Sequence, residues 1–270
     1  MIALMNAAAS SISKPLPLSV AIVTLNEEKN LPRCLASVRG LAAEIVIIDS
    51  GSTDKTAAIA AAAGAIFEIH PWPGFTKQKN RAYQRCSQPW ILGLDADEEV
   101  SPELAASLRA VFAAGEPAVA GFSVNRRNWY LGAWIWHAWY PEWLLRVTRQ
   151  GVGQWAGIEP HPALHVPGKT VRLTGDLLHY PFRDLQDQID RWLRYSHTMA
   201  DLYASQGRQC RWHDLVLSPW GAFFKRLILK QAWRDGWRGW LIAFTNLIYV
   251  FAKYAFLLEK QLTGEPKKDS

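Results

Sequence analysis

The sequence predicts a doubly wound α/β domain followed by a helical C-terminal region. Short, wholly apolar strand runs alternate with helical stretches from about residue 18 onward, and the connections between them are brief. Polar residues also recur just where those strands end, the edge at which ligands of such sheets bind. Residues 18–24 are too apolar for a strand with one wet face and suit a parallel sheet covered on both sides. Asn30 and Pro32 open a helix running to about Arg39. Residues 44–48 make a second buried strand ending at Asp49. Ser52, Thr53 and Asp54 supply N-cap chemistry for an alanine-rich helix that Gly64 closes. Ala65 to Ile69 reads as strand, Phe75 to Arg85 as helix and Trp90 to Leu94 as a fourth strand. Ser101 and Pro102 start the next helix, proline taking the first helical position, with Glu98 and Glu99 read as first-turn helix residues.

From about residue 118 the alternation loosens. Val119 to Asn125 and Trp143 to Val147 look like strands around an aromatic segment, Trp129 to Trp139. Asp184 caps a periodic helix whose expected buried face is Leu185, Ile189, Trp192, Leu193, Ser196, Ala200 and Tyr203, ending at Gly207. Ser218 and Pro219 open a second helical region that breaks near Gly236 and Gly239 and ends near Leu262. The expected organisation is an N-terminal extension (1–17), an α/β domain (18–182) and a helical region (183–270).

A chain of 270 residues can bury a sizeable core. Its net charge of +6 is carried wholly by residues 208–270, which hold 11 basic and 5 acidic side chains. A neutral body with a basic, tryptophan-rich end predicts contact with an anionic surface. No nucleic-acid motif accompanies the charge, so nucleic acid is not expected as a partner. Cys34, Cys86 and Cys210 are odd in number and without metal-ligand spacing, which fits a reduced cytoplasm. No basic region precedes the mildly apolar first residues, so no signal peptide is expected.

The densest chemistry is Asp95-Ala96-Asp97 after the fourth strand. Two carboxylates one residue apart make an all-oxygen site for a hard divalent cation that completes its shell with water and phosphates. Acidic residues after strands also serve simply as helix caps. Thr24, Asn26 and Glu27 after the first strand, and Asp49 to Asp54 after the second, offer carboxylate and hydroxyl partners for a base or ribose, with Gly51 allowing close backbone approach. Asp54 reads first as a cap residue, and Asp49, which precedes the cap, reads first as a ligand partner with a turn role as the alternative.

Thr24-x-Asn26-Glu27, then Asp49-x-Gly51-Ser52-Thr53-Asp54, then Lys79-Asn80, then Leu94-Asp95-Ala96-Asp97 together resemble the family 2 glycosyltransferases of the GT-A fold, a Rossmann-like, mostly parallel sheet with flanking helices. The remainder, with Trp155, His161, Leu164, Gly168, His179 and basic amphipathic C-terminal helices, is similar to bacterial lipopolysaccharide-core β-1,4-glucosyltransferases. The resemblance implies that Thr24, Asn26, Glu27 and Asp49 hold the uridine and that Lys79 sits near the base or phosphates. Many relatives carry arginine where Lys79 stands, a planar fork in place of a point charge. Asp95 would face the ribose and the metal shell. Asp97 would ligate Mg²⁺ or Mn²⁺, with His179 as a further ligand or a structural histidine.

Inverting transfer needs charge stabilisation for the departing diphosphate and a base for the acceptor hydroxyl. The two-carboxylate logic of inverting glycosidases applies, with metal replacing the general acid. Lipopolysaccharide-type relatives have a His-Glu pair where this chain has His161-Pro162, so the expected glutamate is missing. Glu159, His161 and Glu142 remain the base candidates. The Trp129–Tyr140 segment reads as a sugar-stacking surface, an interfacial aromatic patch or a core-covering loop. Only Gly239 to Ala252 is free of charge in the last helix, short for a membrane crossing, so the C-terminal helices are expected either in the membrane interface or packed on the domain.

The expected function is transfer of glucose from UDP-glucose to a heptose of the lipopolysaccharide inner core by a peripheral enzyme on the cytoplasmic face of the inner membrane. Transfer to another lipid-linked glycan or polyprenyl phosphate, and a non-catalytic nucleotide-binding scaffold, are the alternatives.

Overall fold

The computed structural model describes residues 14–159 and 162–263. Most of the expected N-terminal extension, and the base candidate His161, lie outside the described residues. In chain order the elements are β1 (Leu16–Thr24), α1 (Leu31–Val38), β2 (Ala42–Asp49), α2 (Thr56–Ala62), β3 (Ile66–Ile69), α3 (Phe75–Arg85), β4 (Trp90–Asp95), β5 (Glu98–Val100) and α4 (Pro102–Ala113). There follow β6 (Gly121–Tyr130), β7 (Ala133–Trp134), β8 (Trp143–Arg149), β9 (Gln154–Ala156), β10 (Ala163–His165), β11 (Thr170–His179), α5 (Leu185–Ser205), α6 (Trp212–Phe224) and α7 (Trp237–Thr263).

The chain divides into two compact units, one of residues 14–125 with 143–178 and the other of residues 126–142 with 179–263. In the first, the α/β alternation is present as expected. The sheet runs β3-β2-β1-β4-β8-β6-β11-β5, parallel across β3, β2, β1 and β4 and antiparallel where β8 joins β4 and β6. Both faces of β1 are covered. Leu18, Val20 and Ile22 pack in one layer with Leu31, Trp90 and Leu104, while Ala21 packs in the other with Ile48, Tyr83 and Trp155. That is why its sequence reads as a continuous apolar run. The register sets Thr24 opposite Asp49 and Val23 opposite Asp95, so three strands end at one edge.

Glu98 and Glu99 do not begin a helix. Glu98–Val100 is a strand, and α4 starts only at Pro102, where Ser101 Oγ accepts the Leu104 amide at 3.2 Å. Glu98 is fully buried, which its guanidinium partner Arg146 permits.

In the second unit, α5 packs against α7 and α6 against α7. Asp184 caps α5 by accepting the Asp187 amide at 2.8 Å. The later part of its buried face is as expected, with Ser196 and Ala200 buried, but the first turns are rotated: Leu185, Ile189 and Leu193 are exposed, and Asp187 and Gln188 are buried. Polar pairing explains the rotation: Gln188 Oε1 accepts the Tyr130 hydroxyl at 2.6 Å, and Asp187 pairs with Arg191. Ser218-Pro219 does not open a helix either. The helix begins at Trp212, where the Arg211 amide donates to Asp214, and Pro219 lies inside it. A π-helical turn (Lys225–Leu229) and a 3-10 turn (Ala232–Asp235) then lead to α7. Gly239 packs where a Cβ would lie 1.6 Å from the Ala232 carbonyl oxygen, so the second turn and the helix start fit only without a side chain. By length and composition α7 could cross a membrane.

Candidate active site

The loops after β1 and β2 are bound to each other. Asp49 is fully buried and accepts from Thr24 Oγ1 and Ser52 Oγ at 2.6 Å each, and from the amides of Gly51 (2.8 Å) and Ser52 (2.6 Å). Burial alone would raise its pKa, but the bonds from Ser52, Thr24 and Gly51 outweigh that and hold the carboxyl below its usual range. Asn26, in the left-handed region at φ 55°, donates its amide to Ser52 Oγ and accepts the Thr53 amide at 2.9 Å. The Glu27 amide donates to Thr56 Oγ1, and its carboxylate accepts Asn30 Nδ2 at 2.9 Å. Thr24 and Asp49 are thus the internal frame of this edge.

The second cluster surrounds Asp95. Lys79 Nζ sits 2.5 Å from its Oδ1 and 4.4 Å from the centre of the Trp155 ring. Arg146 donates to Asp95 Oδ2 at 3.2 Å and to Glu98 Oε1 at 2.5 Å, while Glu98 Oε2 accepts the Asp95 amide at 2.9 Å. Asn80 clamps α3 to β9 through two 2.9 Å bonds with the Trp155 backbone, which fixes the helix that presents Lys79. Gln78, fully buried, reaches Ser50 Oγ and the His70 carbonyl at 3.2 Å each. Sequence reasoning misses Arg146, Glu98 and Gln78. A signal for Arg146 exists, as a charge inside the apolar run Trp143 to Val147.

Asp97 is half-buried in the turn beyond β4. Among the described residues no group of three or more His, Cys, Asp and Glu side chains could hold a metal. Asp95 and Asp97 are two carboxylates, the number that suffices for Mg²⁺ where water and phosphates complete its shell. Burial first, then the Glu98, Asp97 and Asp95 carboxylates, push the Cys34 thiol well above its usual value.

Glu159 sits at the N-terminus of α3, accepting the amides of Phe75 at 3.0 Å and Thr76 at 2.8 Å. Gly74, at φ 106°, lets it approach: a Cβ there would lie 3.1 Å from Glu159 Oε1. The base candidate Glu142 and the metal-ligand candidate His179 belong to the second unit. Glu142 forms a two-pronged pair with Arg126, both bonds 3.0 Å, and His179 Nδ1 lies 2.6 Å from Asn128 Oδ1.

The family model for "Glycosyl transferase family 2" matches residues 19–165, the stretch holding the strand-end loops, Lys79, Asp95 and Glu159. This chain belongs to that family. It is 35% identical to the lipopolysaccharide core biosynthesis glycosyltransferase LpsC of Rhizobium meliloti, over 94% of this chain and 97% of the relative. An uncharacterized glycosyltransferase of Rickettsia typhi is 25% identical over 88% of this chain and 84% of its own. Among solved structures, the mannosyltransferase PcManGT of Pyrobaculum calidifontis, in complex with GDP-Man and Mn²⁺, is 13% identical with a TM-score of 0.49, covering 94% of this chain and 89% of that one. For this family 2 glycosyltransferase, the edge where β1, β2 and β4 end is the candidate active site.

Proposed function

We propose that this protein is an inverting glycosyltransferase of lipopolysaccharide core assembly that moves glucose from UDP-glucose to an inner-core heptose at the cytoplasmic face of the inner membrane. The observation that carries the reading is the likeness to LpsC along nearly the whole chain, C-terminal helices included. The acceptor is anionic and lipid-linked, which matches the basic C-terminal region.

The strand-end residues divide the work. The rigid pair of loops from Thr24 to Glu27 and from Asp49 to Asp54 shapes the nucleoside pocket, with backbone and outer side chains turned to the base and ribose. Lys79 sets positive charge beside the diphosphate, and its contact with Asp95 fixes where that charge stands. Asp97, with Asp95 beside it, would hold a divalent cation, which supplies positive charge against the leaving diphosphate. Glu159 takes the acceptor proton, its carboxylate oriented by the Phe75 and Thr76 amides one helical turn from Lys79.

Titration with UDP, with and without Mn²⁺, and a transfer assay with UDP-glucose and a heptose acceptor test the proposal. Asp97→Ala should keep the fold, lose the metal-dependent part of UDP affinity and abolish transfer. Unchanged turnover in that variant removes Asp97 from the mechanism. UDP binding without transfer or donor hydrolysis by the wild type would mark a nucleotide-binding scaffold.

A further inference from the structure

The hairpin of α6 and α7 leaves one apolar face uncovered. On α6, Trp212, Val216, Trp220 and Phe224 recur at every fourth residue, and on α7, Trp237, Trp240, Phe244, Ile248 and Phe251 recur at steps of three and four. All are 46 to 72% exposed. The two stripes share a side, because Phe223 bridges them with its ring 5.7 Å from Trp220, 4.8 Å from Phe244 and 6.2 Å from Trp240. The opposite side of α7 is covered within its own unit at Ile242, Ala243, Tyr254 and Leu257. At about half the area of nine large side chains, the face comes to roughly 1,000 Å², beyond what a monomer in water ordinarily shows.

From the hairpin tip to Lys253 the charge is almost wholly of one sign. Between Lys225 and Lys253 there are six cations and a single acid, Asp235. Asp235 is turned inward, accepting the amides of Trp136, His137 and Ala138 at 2.9, 3.1 and 2.7 Å. Arg226 and Arg238 are engaged with the Ala138 and Leu131 carbonyls. The exposed charge at the hairpin tip is therefore Lys225, Lys230 and Arg234, beside the exposed apolar Leu229 and Trp233.

We propose that this face lies in the headgroup–acyl boundary of an anionic bilayer, with α6 and α7 parallel to the membrane plane and the tip cations on lipid phosphates. The proposal deepens the lipid-linked acceptor reading above, and it names the surface that meets the lipid. A one-sided stripe with tryptophan along it and cations at its edge is the pattern of an interfacial helix pair. A crossing fits less well. The charge-free stretch from Gly239 to Ala252 spans about 21 Å at 1.5 Å per residue, against a hydrocarbon core of about 30 Å. A second copy of this chain fits poorly too, since apposing two such faces would bring like charges together.

Flotation of the full chain with phosphatidylcholine vesicles, with and without phosphatidylglycerol, tests the surface. Binding should require the anionic lipid and weaken with salt. Lys225→Glu with Lys230→Glu should weaken it at least about 25-fold, at roughly fivefold per lost cation. Leu229→Glu with Trp233→Glu should abolish it, while the melting temperature stays within about 2 °C of the wild type. Brominated lipids should quench tryptophan fluorescence most when the bromines lie near the headgroups. Equal binding to neutral vesicles, no loss in either variant, quenching strongest at the bilayer centre, or a dimer that Leu229→Glu dissolves would each overturn the proposal. Donor hydrolysis without vesicles reads the catalytic function separately. A chain that floats but never turns over sinks the function, and one that turns over but never floats sinks the surface.

Discussion

Replacing Arg146 by methionine keeps most of its volume and removes the cation that permits Glu98 to be charged in the core. Arg146 is 3% exposed, Glu98 is 0% exposed, and the guanidinium lies 2.5 Å from the Glu98 carboxylate and 3.2 Å from Asp95. A buried carboxylate deprived of such a partner costs about 3–5 kcal/mol, far more than the pair itself contributes. Glu98→Gln is milder. The amide oxygen can accept from either the Asp95 amide or Arg146 but not both, since the NH2 end then faces a donor, and Arg146 keeps Asp95, so the loss should be about 1–3 kcal/mol. The double variant carries neither charge. It should therefore be at least about 2 kcal/mol more stable than the two single losses added together. Urea unfolding of the four proteins with matched slopes measures the cycle. A loss below about 1 kcal/mol in Arg146→Met, or strict additivity in the double variant, would refute the argument that Arg146 and Glu98 form one buried unit behind Asp95.

Two further outcomes test the site. Glu159→Gln retains one acceptor for the α3 amides and removes the charge, so stability should fall by only about 0.5–1 kcal/mol. If Glu159 is the base, kcat should drop about 10²-fold with donor affinity little changed, and wild-type kcat would leave it solely a helix cap. Asp49 carries a lowered folded pKa, so its contribution to stability is complete above the unfolded carboxyl value near 4 and fades as pH falls through the folded value. Asp49→Asn should be less stable at neutral pH and lose less on acidification below about pH 4. Parallel acid-unfolding curves for the two proteins would show that the Asp49 network does not govern that range.

The half of the fold that is legible in the sequence is the half whose signals are local. Continuous apolar runs mark β1, β2 and β4 because both sides of each are covered, and the carboxyl edge then follows from the alternation alone. The C-terminal half misleads for physical reasons. Leu185, Ile189 and Leu193 have perfect helical spacing for a buried face, yet Asp187 and Gln188 are the buried ones because their partners satisfy them. Spacing reports which residues can share a side, and the available partners decide which side turns inward. Short strands such as β9 and β10 carry too few residues to show a period at all. The site follows the same division. Asp95, Asp97 and Lys79 are legible as motif residues, whereas Glu98 and Arg146 are joined across 48 positions of sequence, and no local window contains both. A cation inside an apolar strand predicts a buried anion somewhere, since an unpaired charge there would be too costly to keep. Arg146 is by that logic half of a pair on the sequence alone, and Glu98, an acid beside the Asp95-Ala96-Asp97 motif, is the nearest place to look for the other half.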